Sequence, residues 1–210
     1  MLLHSLLYFY FHYHQFVVWI VSFFENVLKK LSTAGASIVD PCDLPSAEQL
    51  QEVRSSVFRT EFKASLNTFL QEHGSPCGID SMETLIAWNE AHPESIPYGQ
   101  SLLLASNASK GIDDAQYQSD RARDISLSVT AGIDAAMNMF DVDLLIAPMG
   151  AAAKLTGKAG APVIAIPCGM GPDSTPFGVT IIAKVGDDAR LLAMGHQIEL
   201  IVGERKVPVI

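Results

Sequence analysis

The densest strand pattern in the sequence lies between residues 141 and 182, and it constrains the fold more than any other segment. Three short apolar runs occur there, at residues 144–147, 163–166 and 179–183. Runs that are apolar at every position are typical of strands buried on both faces of a sheet. Pro148 and Pro167 directly follow two of the runs, and proline has no N–H for the strand ladder, so we expect each to end its strand.

Helical periodicity surrounds this region. Apolar residues recur at steps of three and four between Leu50 and Leu70, which predicts one long amphipathic helix. Shorter helices are predicted at residues 81–88 and 100–105, a long one at 113–140, and a short strand at 37–39. Buried strands that alternate with helices predict an α/β fold.

Charge and cysteine content exclude several classes of function. The formal net charge is −9 and no basic stripe occurs, so a nucleic-acid partner is not expected. Cys42, Cys77 and Cys168 have no close pair and no ligand spacing, so neither a disulfide framework nor a zinc site is predicted. No cofactor and no other metal site are predicted either. The charged residues from Asp120 to Asp124 have i,i+3 spacing, which predicts a solvated helix face without a catalytic role.

The order of motifs along the chain resembles amidase-signature hydrolases. The segments concerned are 144–148, Ala-Gly-Ala-Pro at 159–162, the run that ends at Ile166-Pro167, Gly169, Pro-Phe-Gly at 176–178, and a helix at 188–199. Upstream, residues 61–70, 85–89 and 97–100 are similar to a helical segment of that family. The resemblance covers residues 26–210 and corresponds to the C-terminal portion of the family. It implies a mixed β-sheet flanked by helices, as a partial amidase-signature fold.

The resemblance also implies a chemistry whose main elements lie outside the matched region. In that family a serine, activated by a second serine and a lysine, opens a carbon–nitrogen amide bond through an acyl-enzyme, and a loop supplies the oxyanion hole. Ser55-Ser56 is the one Ser-Ser pair, but periodicity places it inside an amphipathic helix. Thr156 beside Lys154 or Lys158 is an alternative Thr-Lys pair for the nucleophile. We interpret this segment instead as a mobile loop with solvated lysines. No catalytic residue is therefore predicted, and whether the chain is an enzyme by itself stays open.

Two residues are candidates for a substrate pocket. Met149 follows one predicted central strand and Cys168 follows another, and open α/β sheets bind ligands beyond the carboxyl ends of their strands. Both residue types also fill cores, so the alternative is that these side chains only pack. Trp88 and Tyr98 are predicted to be packing residues.

Residues 1–24 form a hydrophobic leader without Asp, Glu, Lys or Arg, so we divide the chain into this leader and an amidase-like part at 25–210. The leader has the length of a transmembrane helix, although histidines interrupt it and no cleavage site follows. The alternative is that an incorrect gene model or a truncation joined it to the body, and this is favoured because the leader matches nothing in the family. A real leader implies membrane association, and an artefact implies the cytoplasm.

Two functions are expected from these observations. The first is amide hydrolysis of a small molecule, with this chain inactive alone because the Ser-Ser-Lys elements are missing. The second is a non-catalytic binding or interaction protein, tethered to a membrane through residues 1–24. A partial sheet leaves uncovered apolar faces, which favours self-association or a partner that completes the sheet.

Overall fold

The computed structural model describes residues 6–9, 18–74, 77–203 and 205–206. The chain divides into two compact units: unit 1 comprises residues 1–52 and 125–210, and unit 2 comprises residues 53–124. Most of the predicted leader lies outside the described residues. Among the helices that are described, none is long and apolar enough to cross a membrane.

Unit 1 is built on a mixed sheet, as predicted. Its described strands are β1 (Leu6–Phe9), β2 (Ile38–Cys42), β3 (Leu144–Pro148), β4 (Val163–Met170) and β5 (Pro176–Ile182). Their order across the sheet is β2-β1-β3-β5-β4. β1 is parallel to both β2 and β3, whereas β5 is antiparallel to both β3 and β4. β3 and β4 therefore run in the same direction, and their carboxyl ends lie at one edge of the sheet.

Helices cover both faces of this sheet. The α-helices among the described residues are α1 (Val18–Thr33), α2 (Ala47–Glu52), α3 (Val57–His73), α4 (Met82–Ala91), α5 (Ser101–Asn107), α6 (Ala115–Ile125), α7 (Asp134–Met139), α8 (Ala153–Ala159) and α9 (Asp188–Val202). α1 and α9 bury their apolar residues against one face, and α2, α7 and α8 bury theirs against the other. The predicted α/β class is confirmed, as a helix–sheet–helix sandwich.

Among the three predicted strands, β3 and β4 differ in burial. All five residues of β3 are buried, and Pro148 is its last residue, as predicted. β4 is instead the end strand of the described sheet, and Val163 is 47% exposed. Pro167 lies inside β4, where the pairing with β5 shifts register between Pro167 and Gly169. The prediction that Pro167 ends a strand is wrong, because an edge strand tolerates the missing N–H.

The predicted boundary between residues 24 and 25 falls within α1. This helix begins at Val18, and the Phe24 side chain is buried with Val27 and Leu31 in the core against the sheet. Earlier still, β1 pairs with β2 and β3 through its backbone. The described parts of the leader are therefore elements of unit 1.

Unit 2 is helical. The helix predicted over residues 50–70 is in fact two helices, α2 in unit 1 and α3 in unit 2. α2 ends at Glu52 and α3 begins at Val57, with Ser56 at its N-terminal boundary. The chain leaves the helix because the Ser56 N–H donates to the Asp120 carboxylate, 2.8 Å away, instead of to a helical carbonyl. The predicted start of the next helix is confirmed, since Ser81 forms a capping box with Thr84.

The predicted helix at 113–140 contains a π-helical segment, Ser126–Ile133, between α6 and α7. Ser46 donates a 2.6 Å hydrogen bond to the Leu127 carbonyl in this segment. A Cβ at Gly132 would lie 2.6 Å from the same carbonyl oxygen, so the wide turn requires glycine there. Periodicity alone did not predict this widening, because it depends on a side chain distant in sequence.

Candidate functional site

The Ser55-Ser56 pair lies in the break between α2 and α3, and both hydroxyls bind carboxylates. The Ser55 Oγ donates to Asp124 Oδ2 at 2.7 Å, and the Ser56 Oγ donates to Asp120 Oδ2 at 2.7 Å. The prediction that the pair sits inside a helix is therefore wrong. In the part of the chain that the structure describes, neither hydroxyl has a hydrogen bond to a lysine.

The two carboxylates that hold these serines are buried, contrary to the predicted solvated face. Asp120 is 3% exposed and Asp124 is 0% exposed. Asp120 also accepts hydrogen bonds from Gln116 Nε2 at 3.0 Å and Arg123 Nη2 at 2.7 Å. The i,i+3 spacing was correct for the pair Asp120–Arg123, but the face of α6 that it occupies is turned inward.

Burial and hydrogen bonding have opposite effects on the pKa of Asp120. Burial raises the pKa, but the Ser56 N–H and hydroxyl, the Gln116 amide and the Arg123 charge together lower it below its usual range. Each of these donors stabilises the ionised carboxylate. Asp120 is therefore a weak base and cannot readily accept a proton from a serine hydroxyl.

The alternative Thr-Lys pair is also not assembled as a nucleophile. The segment is the helix α8, so the interpretation as a mobile loop is wrong. The expected solvation is confirmed for Lys154, which is exposed, and is wrong for Lys158, which is buried. The Thr156 Oγ1 donates to the Ala152 carbonyl one helical turn earlier, at 3.2 Å. The Lys154 Nζ is exposed and donates to the Gln51 carbonyl at 3.3 Å.

Met149 occupies a tightly held turn at the carboxyl end of β3. Its φ is +52°, a conformation that is uncommon for residues other than glycine. The Met149 N–H donates to the Gly178 carbonyl at 2.9 Å, and the Met149 carbonyl accepts from the Thr180 hydroxyl at 2.5 Å. Strained backbone of this kind is concentrated at functional sites.

Cys168 lies within β4, not after it, and its thiol is protonated. Burial raises the pKa of Cys168 to about 11, although a backbone hydrogen bond from Val179 and the charge of Lys30 oppose the rise. The thiol donates to the Ile166 carbonyl at 3.3 Å. Reactive cysteines need a thiolate, so Cys168 is not poised for nucleophilic attack.

Strand register brings these two candidates to the same edge of the sheet. Pro148 pairs with Val179 and Pro167 pairs with Gly178, so Met149 and Cys168 both lie beside the first half of β5. Both side chains pack against the core that lies between the sheet and α1. The structure thus brings together the two predicted pocket residues from different strands.

Two aromatic residues that sequence reasoning missed also lie at this edge. Trp19 and Phe23 of α1 contact Phe177 at ring-centroid distances of 6.1 and 5.5 Å. A Cβ at Gly171 would lie 2.5 Å from the Trp19 ring, so glycine is required beneath that ring. Their i,i+4 spacing continues the apolar face of α1, but the predicted boundary after residue 24 separates them from that face.

A separate cavity of about 310 Å³ lies beside α8. It is lined by small or β-branched residues: Gly150, Ala153, Thr156, Gly157, Ala161, Val163 and Thr180. Met149 and Cys168 do not line it. The described residues contain no group of three or more His, Cys, Asp or Glu side chains that could hold a metal ion.

Comparison with solved structures identifies the fold. The structure of native peptide amidase from Stenotrophomonas maltophilia matches 96% of this chain and 44% of its own, with a TM-score of 0.81 and 25% identity. An amidase family protein from Bacillus anthracis strain Ames matches 100% of this chain and 40% of its own, with a TM-score of 0.80 and 23% identity. The chain therefore has the fold of amidase-signature enzymes over part of their length.

Sequence comparison gives the same family over a shorter segment. A glutamyl-tRNA(Gln) amidotransferase subunit from Synechococcus sp. strain CC9902 is 39% identical over 66 residues, which are 31% of this chain and 12% of that protein. Its counterpart from Bacillus cytotoxicus is 36% identical over 67 residues. No protein-family model matches the chain. The chain resembles amidase-signature hydrolases and spans less than half of the length of the two solved relatives named above.

Proposed function

We propose that this chain forms part of a hydrolase of carbon–nitrogen amide bonds and that it does not hydrolyse amides by itself. The main support is the bonding of Ser55 and Ser56, whose hydroxyls both donate to buried carboxylates. A serine nucleophile needs a base that accepts its proton and a free path to the substrate carbonyl. Ser56 and Asp120 instead hold the first turn of α3, which is a structural role.

Lys63, the lysine closest in sequence to this serine pair, is also committed to structure. Its Nζ donates to the Asn107 carbonyl at 2.6 Å and to the Ser109 carbonyl at 3.4 Å, which ties α3 to the end of α5. Both partners are backbone carbonyls, so these hydrogen bonds give Lys63 a structural role. This arrangement supports a chain in which the catalytic lysine must come from elsewhere.

The substrate of the complete enzyme is proposed to be a small-molecule amide that contacts Met149 and Cys168. The carboxyl ends of β3 and β4 supply a rigid edge with a strained turn, and a neutral thiol offers an apolar contact. The aromatic side chains of Trp19, Phe23 and Phe177 wall this edge on the α1 face.

The proposal is tested with the purified 210-residue chain and a panel of primary amides and p-nitroanilides, following release of ammonia or p-nitroaniline. We expect the rate to equal that of buffer. Hydrolysis above that rate that is abolished by Ser55→Ala, Ser56→Ala or Lys154→Ala would refute it, provided that circular dichroism shows each variant to be folded.

A second candidate function is a non-catalytic binding or interaction protein. The observation that favours it is the exposure of Phe58, Phe62 and Phe69 on α3, at 55%, 45% and 54%. A tether through the leader would make such a protein partition into membranes. Gel filtration without detergent separates the possibilities, since a monodisperse monomer argues against both the tether and a self-associating surface.

A further inference from the structure

The strand β4 is the end strand of the described sheet, and one side of its backbone has no strand partner there. In an antiparallel ladder, successive residues point their N–H and C=O groups alternately to the two sides of the strand. The Ala183 N–H donates to the carbonyl of Pro162, the residue before β4. Even-numbered residues at the start of β4 therefore bond to β5. The backbone groups of Val163, Ala165 and Pro167 point outward.

The pairing of β5 with β3 gives the same alternation. The Met149 N–H donates to the Gly178 carbonyl, so even-numbered residues of β5 face β3 and odd-numbered residues face β4. The register then places odd-numbered residues of β5 opposite even-numbered residues of β4. Hydrogen bonds on the two sides of β5 thus assign the same residues of β4 to the free edge.

The side chains at this edge are apolar and in part uncovered. β4 contains no charged residue, Val163 is 47% exposed, and Ala165 is exposed on the same face of the sheet. The other end strand, β2, contains Asp40 and Pro41. Charges and prolines protect edge strands from unwanted pairing, so β2 is protected and the first half of β4 is open. Pro167 ends the open part, because it has no N–H.

Helix α9 adds an exposed leucine beside the free edge. α9 packs mainly on β4, whereas α1 packs on β3 and β5, so the side of α9 away from α1 lies toward the free edge. Ile201 is on the α1 side, because it lines a cavity together with Lys29 and Lys30. Leu192 precedes Ile201 by nine residues, which is about 180° around the helix at about 100° per residue. Leu192, 63% exposed, therefore points toward the free edge.

We infer that two copies of this chain pair through β4, antiparallel and about a twofold axis at Ala165. In this register, Ala165 faces Ala165 of the second copy, and the two residues exchange hydrogen bonds in both directions. The Val163 N–H of each copy donates to the Pro167 carbonyl of the other. The twofold operation uses both free edges at once, so the assembly closes as a dimer and does not grow into a fibre.

The edge matches a second copy in pairing and in area. An antiparallel edge is its own complement, and the partner strand must be uncharged and apolar, which β2 is not. β4 has eight residues, about 26 Å at about 3.3 Å each, and the sheet with α9 makes the edge about 20 Å deep. The contact is then about 500 Å² on each copy and about 1,000 Å² in total, the lower bound for a specific interface. We therefore expect a weak, concentration-dependent dimer.

The interface is tested by sedimentation equilibrium of the full chain over a range of concentrations, with circular dichroism as the check of folding. Ala165→Pro removes an outward N–H and no bond to β5, and edge strands tolerate proline, so it should weaken the dimer at least tenfold. Leu192→Lys should weaken the dimer as well. The matched control is Leu200→Lys, 66% exposed on the same helix but half a turn from the buried Leu191, which should leave the dimer unchanged.

The register is tested by disulfide cross-linking with diamide in a Cys77→Ser background, which removes an exposed native thiol. Ala165→Cys brings the two Cα atoms to about 5.5 Å across the axis, within the range of a disulfide. Val163→Cys is the control, because its two Cα atoms lie about 14 Å apart in the same register. We expect a covalent dimer from Ala165→Cys and none from Val163→Cys.

Several results would overturn the inference. These are a monomer at every concentration, a dimer that is equally tight with Ala165→Pro, and cross-linking of Val163→Cys in place of Ala165→Cys. A monomer that dimerises only after removal of residues 207–210 would also overturn it, by assigning the edge to the chain's own C-terminal segment. The inference goes beyond the proposed function and uses no measurement of amide hydrolysis, so either can fail without the other.

Discussion

Replacing Asp120 with alanine tests whether the network behind Ser55-Ser56 is structural. The substitution removes the acceptor of hydrogen bonds from the Ser56 N–H, the Ser56 hydroxyl, Gln116 and Arg123. A buried donor left without a partner costs about 1–3 kcal/mol, and Gln116 and Arg123 are exposed enough to regain water. The two Ser56 donors therefore give an expected loss of about 2–6 kcal/mol of the free energy of unfolding.

The assay must report on unit 2 alone. The sequence contains two tryptophans, Trp19 in unit 1 and Trp88 in unit 2. In a Trp19→Phe background, urea unfolding followed by tryptophan fluorescence therefore reports on α4 of unit 2. The control is Asp113→Ala at an exposed position, which should change the free energy of unfolding by less than about 0.5 kcal/mol. A loss below about 1 kcal/mol for Asp120→Ala would refute the structural role, because it is smaller than one unsatisfied buried donor.

The same network predicts a pH dependence. Because hydrogen bonds lower the pKa of Asp120 in the folded state, its stabilising effect is fully present above the unfolded-state pKa. The effect is lost as the pH falls from about 4 through the lowered folded-state value. Urea unfolding of the Trp19→Phe protein between about pH 6 and about pH 2.5 should show this loss, and Asp120→Ala should show a smaller one. Equal acid sensitivity in both proteins would contradict the lowered pKa.

Three further predictions concern unit 1. Trp19→Ala should lower the free energy of unfolding of unit 1, measured by calorimetry, by about 2–4 kcal/mol through lost aromatic packing. Val18→Ala, at an exposed position, should leave this free energy unchanged. Gly178→Ala should cost about 1–3 kcal/mol, because its Cβ would lie 2.8 Å from a backbone oxygen, while Gly150→Ala, with open space around it, should cost less in the same calorimetric assay. Cys168, with its raised pKa, should resist iodoacetamide at about pH 8 in peptide mass spectrometry, and rapid labelling would show a thiolate.

The sequence pattern predicted where the strands of unit 1 lie better than it predicted how deeply each strand is buried. The fully apolar run at 144–147 became the buried strand β3, because core clusters lie on both faces of the sheet at that strand. The equally apolar run at 163–166 became part of an edge strand, which depends on strand order and not on composition. Pro167 is tolerated there for the same reason.

The candidate site was predicted only in part. The positions of Met149 and Cys168 beside strand ends followed from the apolar runs and brought both to one edge of the sheet. The burial of Asp120 and Asp124 was not predictable from i,i+3 spacing, because that spacing is the same on an inward and an outward helix face. Tyr98 is 99% exposed, so the prediction that it packs is wrong. It lies in a loop, where no periodicity shows which side chains face inward.

The discontinuity of unit 1 has a consequence for the order of folding during synthesis. Unit 2, residues 53–124, is a single continuous segment and can form its helical contacts as soon as it leaves the ribosome. The sheet of unit 1 cannot close before β3 is made, because β1 must pair with a strand that begins at Leu144. Such a long separation in sequence slows pairing. During this interval the apolar face of α1 is exposed, so a nascent chain of this protein is expected to need chaperone protection until translation has passed α9.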